Sequence, residues 1–324
     1  MVDENLAPDD RSQYENGGAW CVCPYREDLP QVVEAVLGRL HRRGTVQHVC
    51  HFPLPSQSVV VRILELLAEV LFPGYFGKKA LDPANLRFHL GETLNTAYGL
   101  LAQEITRCLL HERHDVQAPC RTECEMEGCR QAFVLVEKLP GLVEMLESDV
   151  RAAYMGDPAA TGFDEVIFCY PGFRAVMVYR LAHELHAQGV QWLPRIMTEY
   201  AHRITGIDMH PGATIGRALF IDHGTGVVIG ETSEIGDNVR LYQGVTLGGF
   251  RFRKDDAGEL LRGYKRHPTI EDDVTIYANA SILGPITVGQ GTVIGANVIL
   301  TESVEPGSHV TIEPPRQRVR QRDS

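Results

Sequence analysis

The chain of 324 residues is 44% hydrophobic and 23% charged, which is the composition of a folded protein with enough length for two domains. Its formal net charge of -11 argues against broad binding to nucleic acid or anionic membranes, because both need clustered positive charge. No apolar run approaches the ~18 residues that span a bilayer, and residues 1–10 are acidic, unlike a signal peptide. We therefore expect a cytoplasmic protein with small-molecule chemistry and free thiols at its eight cysteines.

Up to about residue 200 the apolar residues recur with helical spacing. The pattern predicts amphipathic helices around 32–40, 63–71, 86–110, 131–154, 171–188 and 193–202. Residues 1–25 are polar and are predicted to be a flexible segment. We expect an α-helical domain over residues 26–204.

After residue 205 the aliphatic residues recur every six positions, a period that neither a helix nor a simple strand produces. The repeat runs in three frames, namely Met209, Ile215, Ile221, Val227, then Ile229, Ile235, Leu241, Leu247, then Ile270, Ile276, Ile282, Val288, Ile294, Leu300. This period is typical of a left-handed parallel β-helix, in which three hexapeptides form one triangular coil with the aliphatic side chains inside.

The predicted fold class is therefore α+β, with an N-terminal α-helical domain followed by a left-handed parallel β-helix over residues 205–305. Residues 250–265 contain no inward position in frame and are predicted to loop out from one corner. Residues 306–324 form a C-terminal tail.

His223 is the candidate for acid–base chemistry, because it interrupts the repeat in the sequence D-H-G-T-G, where Gly224 and Gly226 allow a ligand to approach the backbone closely. An imidazole can take a proton from a hydroxyl near neutral pH when a carboxylate holds its other nitrogen in the correct tautomer. Asp208 could supply that carboxylate. On composition alone, a surface or capping histidine remains an alternative.

Several motifs resemble the serine acetyltransferase family, whose members make O-acetylserine for cysteine synthesis. The resemblance covers about residues 150–305. Its motifs are D-P-A at 157–159, G-F-R-A-V-M-V-Y-R-L-A-H at 172–183, D-M-H-P-G-A-T-I-G-R at 208–217, I-D-H-G-T-G-V-V-I-G-E at 221–231, V-T-L-G-G at 245–249 and R-H-P at 266–268.

The resemblance implies direct transfer of acetyl from acetyl-CoA to the hydroxyl of L-serine, with His223 as general base and Asp208 as its partner. No acyl-enzyme and no metal are expected. It assigns Asp157 and Asp222 to the serine ammonium. Serine is a zwitterion, so groups of the opposite kind are needed for its carboxylate. The remaining binding residues lie at positions 266 and 267, where basic side chains can supply them.

Arg266 and His267 are accordingly expected to bind the serine carboxylate. The resemblance places acetyl-CoA in the groove between neighbouring β-helices, where the matching small residues are Gly248, Ala278 and Ala296. A homotrimer, or a dimer of trimers, and competition by L-cysteine at the serine site are implied as well.

The chain departs from the family at its C-terminus, which lacks the terminal Ile by which many members dock into O-acetylserine sulfhydrylase. The resemblance therefore does not extend to that complex. The loop 250–265 is also longer than the Gly-rich form of the family. The stretch 108–129 is outside the resemblance, and a metal site, redox-sensitive thiols or ordinary helix residues remain open for its members Cys108, His111, His114, Cys120, Cys124 and Cys129.

Three other functions remain open. The first is acetyl transfer to another hydroxyl, such as that of homoserine, a sugar or a xenobiotic alcohol. The second is a trimeric hydratase of the γ-carbonic-anhydrase type, with His210, His223 and His267 as zinc ligands. The third is a non-catalytic scaffold that organises partners through its helices.

Overall fold

The structure, a computed structural model, describes residues 24–40, 54–77, 80–114 and 120–313. Most of the segment 1–25, and residues 314–324 of the predicted tail, lie outside the described residues. The chain divides into two compact units, residues 1–51 and residues 52–324. The domain boundaries expected from the sequence stay predictions.

The first unit contains a 3-10 helix over Pro24–Glu27 and helix α1 over Leu29–Leu40. The second unit begins with six helices, which are α2 (Gln57–Leu71), α3 (Leu86–His114), α4 (Arg121–Gly156), α5 (Phe163–Cys169), α6 (Pro171–Ala187) and α7 (Leu193–Thr205). No helix in the described part of the chain is long and apolar enough to cross a membrane.

Helix α4 begins ten residues before the helix predicted at 131–154 and continues through Pro140. Pro140 is exposed, so the backbone bond that it cannot make lies on the solvent side. Leu139 and Leu146 on the other side are buried in the helical core, and this packing outweighs the break. The short helix α5 was missed by the sequence analysis, because seven residues give too little periodicity to read.

After α7 the chain forms three parallel sheets of a left-handed β-helix, as the hexapeptide period predicts. Strands of two or three residues follow one another around the triangle. They are β1 (Asp208–Met209), β2 (Thr214–Ile215), β3 (Phe220–Ile221), β4 (Val228–Ile229), β5 (Glu234–Ile235), β6 (Arg240–Leu241), β7 (Thr246–Gly248), β8 (Thr269–Ile270), β9 (Thr275–Ile276), β10 (Ser281–Leu283), β11 (Thr287–Val288), β12 (Val293–Ile294), β13 (Ile299–Leu300) and β14 (His309–Val310).

The inward positions of the strands form the shaft of the β-helix. Ile229, Leu241, Leu247 and Ile282 are almost completely inaccessible to solvent. Val227, predicted as the last residue of the first frame, instead fills a corner two positions before the shaft residue Ile229. The turn after β3 has two extra residues, and these cause the change of frame.

Two corners of the triangle matter for the site. We name the turn that leads into the sheet of β1, β4, β7, β10 and β13 the His223 corner, which comprises residues 222–227, 242–245, 277–280 and 295–298. We name the turn that leaves that sheet the Arg266 corner, which comprises residues 210–213, 230–233, 249–268 and 284–286. The stretch 250–265 extends from the Arg266 corner and contains an antiparallel bridge between Lys254 and Leu260.

A buried ion pair attaches the helices to the first coil. Arg180 of α6 binds Asp149 of α4 through two nitrogen–oxygen contacts of 2.6 and 2.7 Å, and it also donates to the Gly216 carbonyl at 2.8 Å. Asp149 accepts from the backbone N–H of Leu219 at 2.9 Å. A charge pair that is bidentate and fully hydrogen-bonded in this way resists any sliding of α4 and α6 over the β-helix.

The cysteine and histidine residues of 108–129 do not come together as a metal site among the described residues. Cys108 and Cys124 are buried, whereas Cys120 and Cys129 are exposed, and all four are free. Burial raises the pKa of the Cys108 thiol to about 12. The side chain of His114 lies outside the described part.

Candidate active site

His223 lies at the centre of a tight turn that directs its side chain into solvent. Its φ of 57° is in the left-handed region, and Gly224 N–H donates to the Asp222 carbonyl at 2.6 Å, which is the i to i+2 bond of a γ-turn. The imidazole is 70% exposed. A non-glycine residue held in this conformation and presented to solvent favours a functional role over a packing role.

One carboxylate of the same chain contacts this imidazole, and a second lies within electrostatic range of it. Asp222 Oδ1 is 3.7 Å from His223 Nδ1, which is an ion-pair distance but too long for a hydrogen bond. Asp157, at the C-terminus of α4, is close enough for the charge of His223 to lower the pKa of its carboxyl. The helical region and the β-helix therefore each supply one acidic group to the His223 corner.

The Asp157 carboxylate is oriented by two hydrogen bonds. Its Oδ2 accepts from the Tyr170 hydroxyl at 2.5 Å, and its Oδ1 accepts from the backbone N–H of Ala159 at 2.8 Å. The bond from Tyr170 is the main cause of a lowered pKa at Asp157, and the bond from Ala159 adds to it. Asp157 is therefore a charged carboxylate, and each of its oxygens accepts one hydrogen bond.

Asp208 of β1 is not joined to His223 by a hydrogen bond or an ion pair in the described chain. Its carboxylate instead groups with Glu199 and His202 of α7, whose ligand atoms all lie within 4.8 Å of one another. The backbone N–H of Asp208 donates to the Val227 carbonyl, which keeps the residue on the sheet that begins at the His223 corner. The pairing of Asp208 with His223 stays a prediction.

The Arg266 corner carries the opposite charge. The Arg266 guanidinium forms an ion pair with Glu231, whose pKa is lowered although burial opposes the shift. Thr232 organises the backbone here, since its hydroxyl accepts from the N–H groups of Arg266 at 2.9 Å and His267 at 3.1 Å. These bonds hold Arg266 at the point where the extended loop rejoins the coil.

His267 is 8% exposed and its ring packs against Gly230, where a Cβ would lie 2.1 Å from Cδ2 of the ring. The backbone N–H of Thr232 donates to His267 Nδ1 at 3.1 Å. Burial, reinforced by the charge of Arg266, lowers the pKa of His267 to about 4. The imidazole is therefore neutral near pH 7, with its proton on Nε2.

His210, which is half-buried, is the second imidazole of this corner. Its Nδ1 accepts from the backbone N–H of Gly212 at 3.0 Å, and burial lowers its pKa to about 4. The ring of His186, from α6, lies 6.0 Å from it. The three histidines that a zinc hydratase would need are divided in this chain, with His210 and His267 at one corner and His223 at the next.

The residues expected to line the acetyl-CoA groove lie along the two edges of one face of the β-helix. Ala278 and Ala296 occupy successive turns of the His223 corner, where Asn297 N–H donates to the Ala278 carbonyl at 2.9 Å. Gly248 ends β7, on the side of the same sheet that leads to the Arg266 corner. A Cβ at Gly248 would lie 2.9 Å from Leu283, so only glycine fits there without displacement.

Sequence reasoning missed Tyr170, Glu231 and Thr232. Tyr170 precedes Pro171 at the start of α6, a position that carries no pattern of its own. Glu231 follows the repeat glycine Gly230, where an acidic residue usually faces solvent. Only their spatial partners give these three residues a role.

Comparison with known proteins identifies the fold and the family. The family model for the bacterial transferase hexapeptide (six repeats) matches residues 267–302. A serine acetyltransferase of Synechococcus elongatus, described as plasmid-borne, is 48% identical over 264 residues, which cover 80% of this chain and 82% of that protein.

Two solved structures extend the comparison. Serine acetyltransferase 1 of Entamoeba histolytica, in complex with L-cysteine, superposes with a TM-score of 0.68 at 34% identity and covers 88% of this chain and 100% of that one. The Neisseria gonorrhoeae serine acetyltransferase in complex with serine has a TM-score of 0.51 at 28% identity, over 80% of this chain and 97% of that one. With a relative of this identity and coverage, and with the hexapeptide coils in place, the chain belongs to the serine acetyltransferase family.

Proposed function

We propose that this protein is a serine O-acetyltransferase, which transfers acetyl from acetyl-CoA to the hydroxyl of L-serine and yields O-acetyl-L-serine and CoA. The reaction is the first step of cysteine biosynthesis. Family membership supports the reaction class, and the oppositely charged groups at the two corners support a zwitterionic acceptor. The cytoplasmic location stays a prediction from the sequence.

His223 is the proposed general base. Its exposed ring accepts the proton of the serine hydroxyl as that oxygen attacks the thioester carbonyl of acetyl-CoA. The tetrahedral intermediate collapses with cleavage of the carbon–sulfur bond, and the imidazolium returns the proton to the departing thiolate. Since the acetyl group passes directly to serine, no covalent enzyme intermediate forms.

Each corner binds one of the two charged groups of serine. Asp157 and Asp222 bind the ammonium beside His223, while Arg266 binds the carboxylate bidentately. Neutral His267 donates its remaining N–H to the same carboxylate. Asp208 is proposed to orient His223 in the assembled enzyme.

Binding of one serine molecule by both corners requires two copies of the chain. The corners lie at opposite ends of one side of the triangle, a side that spans up to about 20 Å for six residues, whereas the charged groups of serine are only one carbon apart. A cyclic homotrimer brings the His223 corner of one copy to the Arg266 corner of the next. The groove between the copies then holds acetyl-CoA along Gly248, Ala278 and Ala296. The proposed assembly is this homotrimer or a dimer of two such trimers.

L-Cysteine shares the ammonium and carboxylate of serine and is proposed to compete at the same site. The related Entamoeba enzyme was solved with L-cysteine, and the related Neisseria enzyme with serine. The observation that carries the proposal is the exposed imidazole of His223, which has the Asp222 carboxylate 3.7 Å away and the Asp157 carboxylate within electrostatic range.

The test is CoA release from acetyl-CoA at pH 7.5, with L-serine, homoserine or chloramphenicol as acceptor. Serine-dependent release that L-cysteine inhibits competitively would support the proposal. Release with another acceptor alone would contradict the assignment of L-serine as the substrate. No release with any acceptor would favour a hydratase or a scaffold, and zinc analysis together with a CO2 hydration assay would separate those two.

A further inference from the structure

Tyr170 lies beside the acidic group that the helical region contributes to the site. It lies between α5 and α6 and is half-buried, and its hydroxyl donates to Asp157, the C-cap residue of α4. We propose that Tyr170 is a positioning residue for substrate recognition, which holds the Asp157 carboxylate in the orientation that binds the amino group of serine and of cysteine. This inference rests on the proposed function.

Three hydrogen bonds orient Asp157. Its backbone N–H donates to the Ala153 carbonyl at 3.0 Å and closes the last turn of α4. Ala159 and Tyr170 then each donate to a different carboxylate oxygen. A carboxylate offers about four acceptor sites, so one lone pair on each oxygen stays free for a cationic amine.

The Tyr170 backbone is tied to the β-helix through the start of α6. Tyr170 accepts from Arg174 N–H and donates to the Val166 carbonyl, both at 3.2 Å. Two residues later, Gly172 lies so close to β3 that a Cβ would be 2.1 Å from the Ile221 carbonyl oxygen. Because Asp222 follows Ile221 directly, Tyr170 links the end of α4 to the turn that carries Asp222 and His223.

The surroundings keep the phenol protonated. Burial, the bond to Asp157 and the charges of Asp157, Glu165 and Asp222 all raise the pKa of Tyr170. Glu165 is itself engaged, since it accepts from the N–H and the hydroxyl of Thr161 at 2.6 and 2.5 Å. Tyr170 is therefore a permanent donor to Asp157.

A second tyrosine in the same region provides a matched control. The Tyr75 hydroxyl donates to Asp164 of α5, one residue before Glu165. Both bonds join a phenol to an aspartate, but the Tyr75 bond does not touch Asp157. Replacing either tyrosine by phenylalanine removes one hydroxyl and leaves the ring in place.

The experiment compares full-length wild type, Tyr170→Phe and Tyr75→Phe by steady-state kinetics with L-serine and acetyl-CoA. We expect Tyr170→Phe to raise the serine KM and the L-cysteine inhibition constant by about tenfold each, as follows when one charged hydrogen bond is lost from a binding group. The acetyl-CoA KM should stay within about twofold and kcat within about threefold of wild type. Tyr75→Phe should match wild type, and thermal melts verify that each variant is folded.

A double-mutant cycle distinguishes positioning from a general structural role. In an Asp157→Asn background, Tyr170→Phe should change the serine KM by less than about twofold, because the group through which Tyr170 acts is already altered. Equal, additive effects in both backgrounds would overturn the inference, as would an unchanged serine KM in Tyr170→Phe. If the wild type itself shows no serine-dependent CoA release, the proposed function fails and this inference fails with it.

Discussion

The His223 corner and the Arg266 corner are built from the same six-residue repeat, yet they hold their functional groups in opposite ways. At the His223 corner the imidazole is 70% exposed and the acidic partners come partly from the helical region. At the Arg266 corner His267 is 8% exposed and is bound by Thr232 of its own corner. The repeat thus determines where a side chain lies, while its exposure and its partners differ from one corner to the other.

The difference between the corners suggests that their histidines have different roles in the reaction. An exposed base can reach a substrate hydroxyl and exchange protons, whereas a buried, neutral imidazole beside Arg266 can only donate a fixed hydrogen bond. Substitutions at the two corners should therefore have different kinetic effects.

His223→Ala should lower kcat by about 10²–10⁴, which is the usual contribution of a positioned general base. Stopped-flow or continuous measurement of CoA release checks it. His309→Ala, an exposed histidine of β14, is the matched control and should retain wild-type turnover. A decrease of less than about threefold at His223 would remove it from the mechanism.

Mixing two inactive variants tests whether the corners of different copies meet. His223→Ala and Arg266→Ala chains, co-expressed with different tags in equal amounts, should recover about a quarter of the wild-type sites by random assortment in a cyclic trimer. The recovered activity should be at least about tenfold above either variant alone. Purified mixed trimers that are as inactive as the parents would show that each site lies within one copy.

Arg266→Lys should raise the serine KM by about tenfold with a smaller change in kcat, because an ammonium cannot reproduce the two-pronged contact of a guanidinium with a carboxylate. Initial rates at varied serine concentration measure the effect. Arg262→Lys, in the exposed loop, is the control. An unchanged serine KM would contradict the assignment of Arg266 to the carboxylate.

The two histidines of the Arg266 corner, His267 (buried) and His210 (half-buried), should make stability depend on pH. His210 and His267 have pKa values lowered to about 4, so between about pH 6.5 and pH 4 the unfolded chain binds more protons than the folded chain. Stability therefore rises with pH across this window and is lost as the pH falls through it. Replacing His210 by Asn keeps an acceptor for Gly212 N–H and removes one titrating group.

Thermal melts at pH 7.5 and pH 5.0 measure this dependence. The decrease in Tm on acidification should be about 2–4 °C smaller in His210→Asn than in wild type. His309→Asn serves as the control, since that residue lies outside both corners. Parallel curves for wild type and His210→Asn would contradict the proposed titration.

The sequence predicted the β-helix well because its signal is local and repeated. Each coil needs an aliphatic residue every sixth position, so Ile229 and Leu247 can be assigned without knowing any distant contact. The family motifs also pointed to His223, Asp157 and Arg266. The extended start of α4 and the short helix α5 were not predicted, since tertiary packing decides helices whose own periodicity is weak.

Contacts between distant positions could not be predicted in the same way. Arg266 and Glu231 are 35 positions apart, and Asp149 and Arg180 are 31 apart. The amino-acid sequence by itself determined the repeat, the net charge and the residue types of the site. Only the tertiary structure decided that Tyr170 meets Asp157 and that the two charged corners lie on one face, because side-chain hydrogen bonds depend on how helices and coils pack and not on any local period.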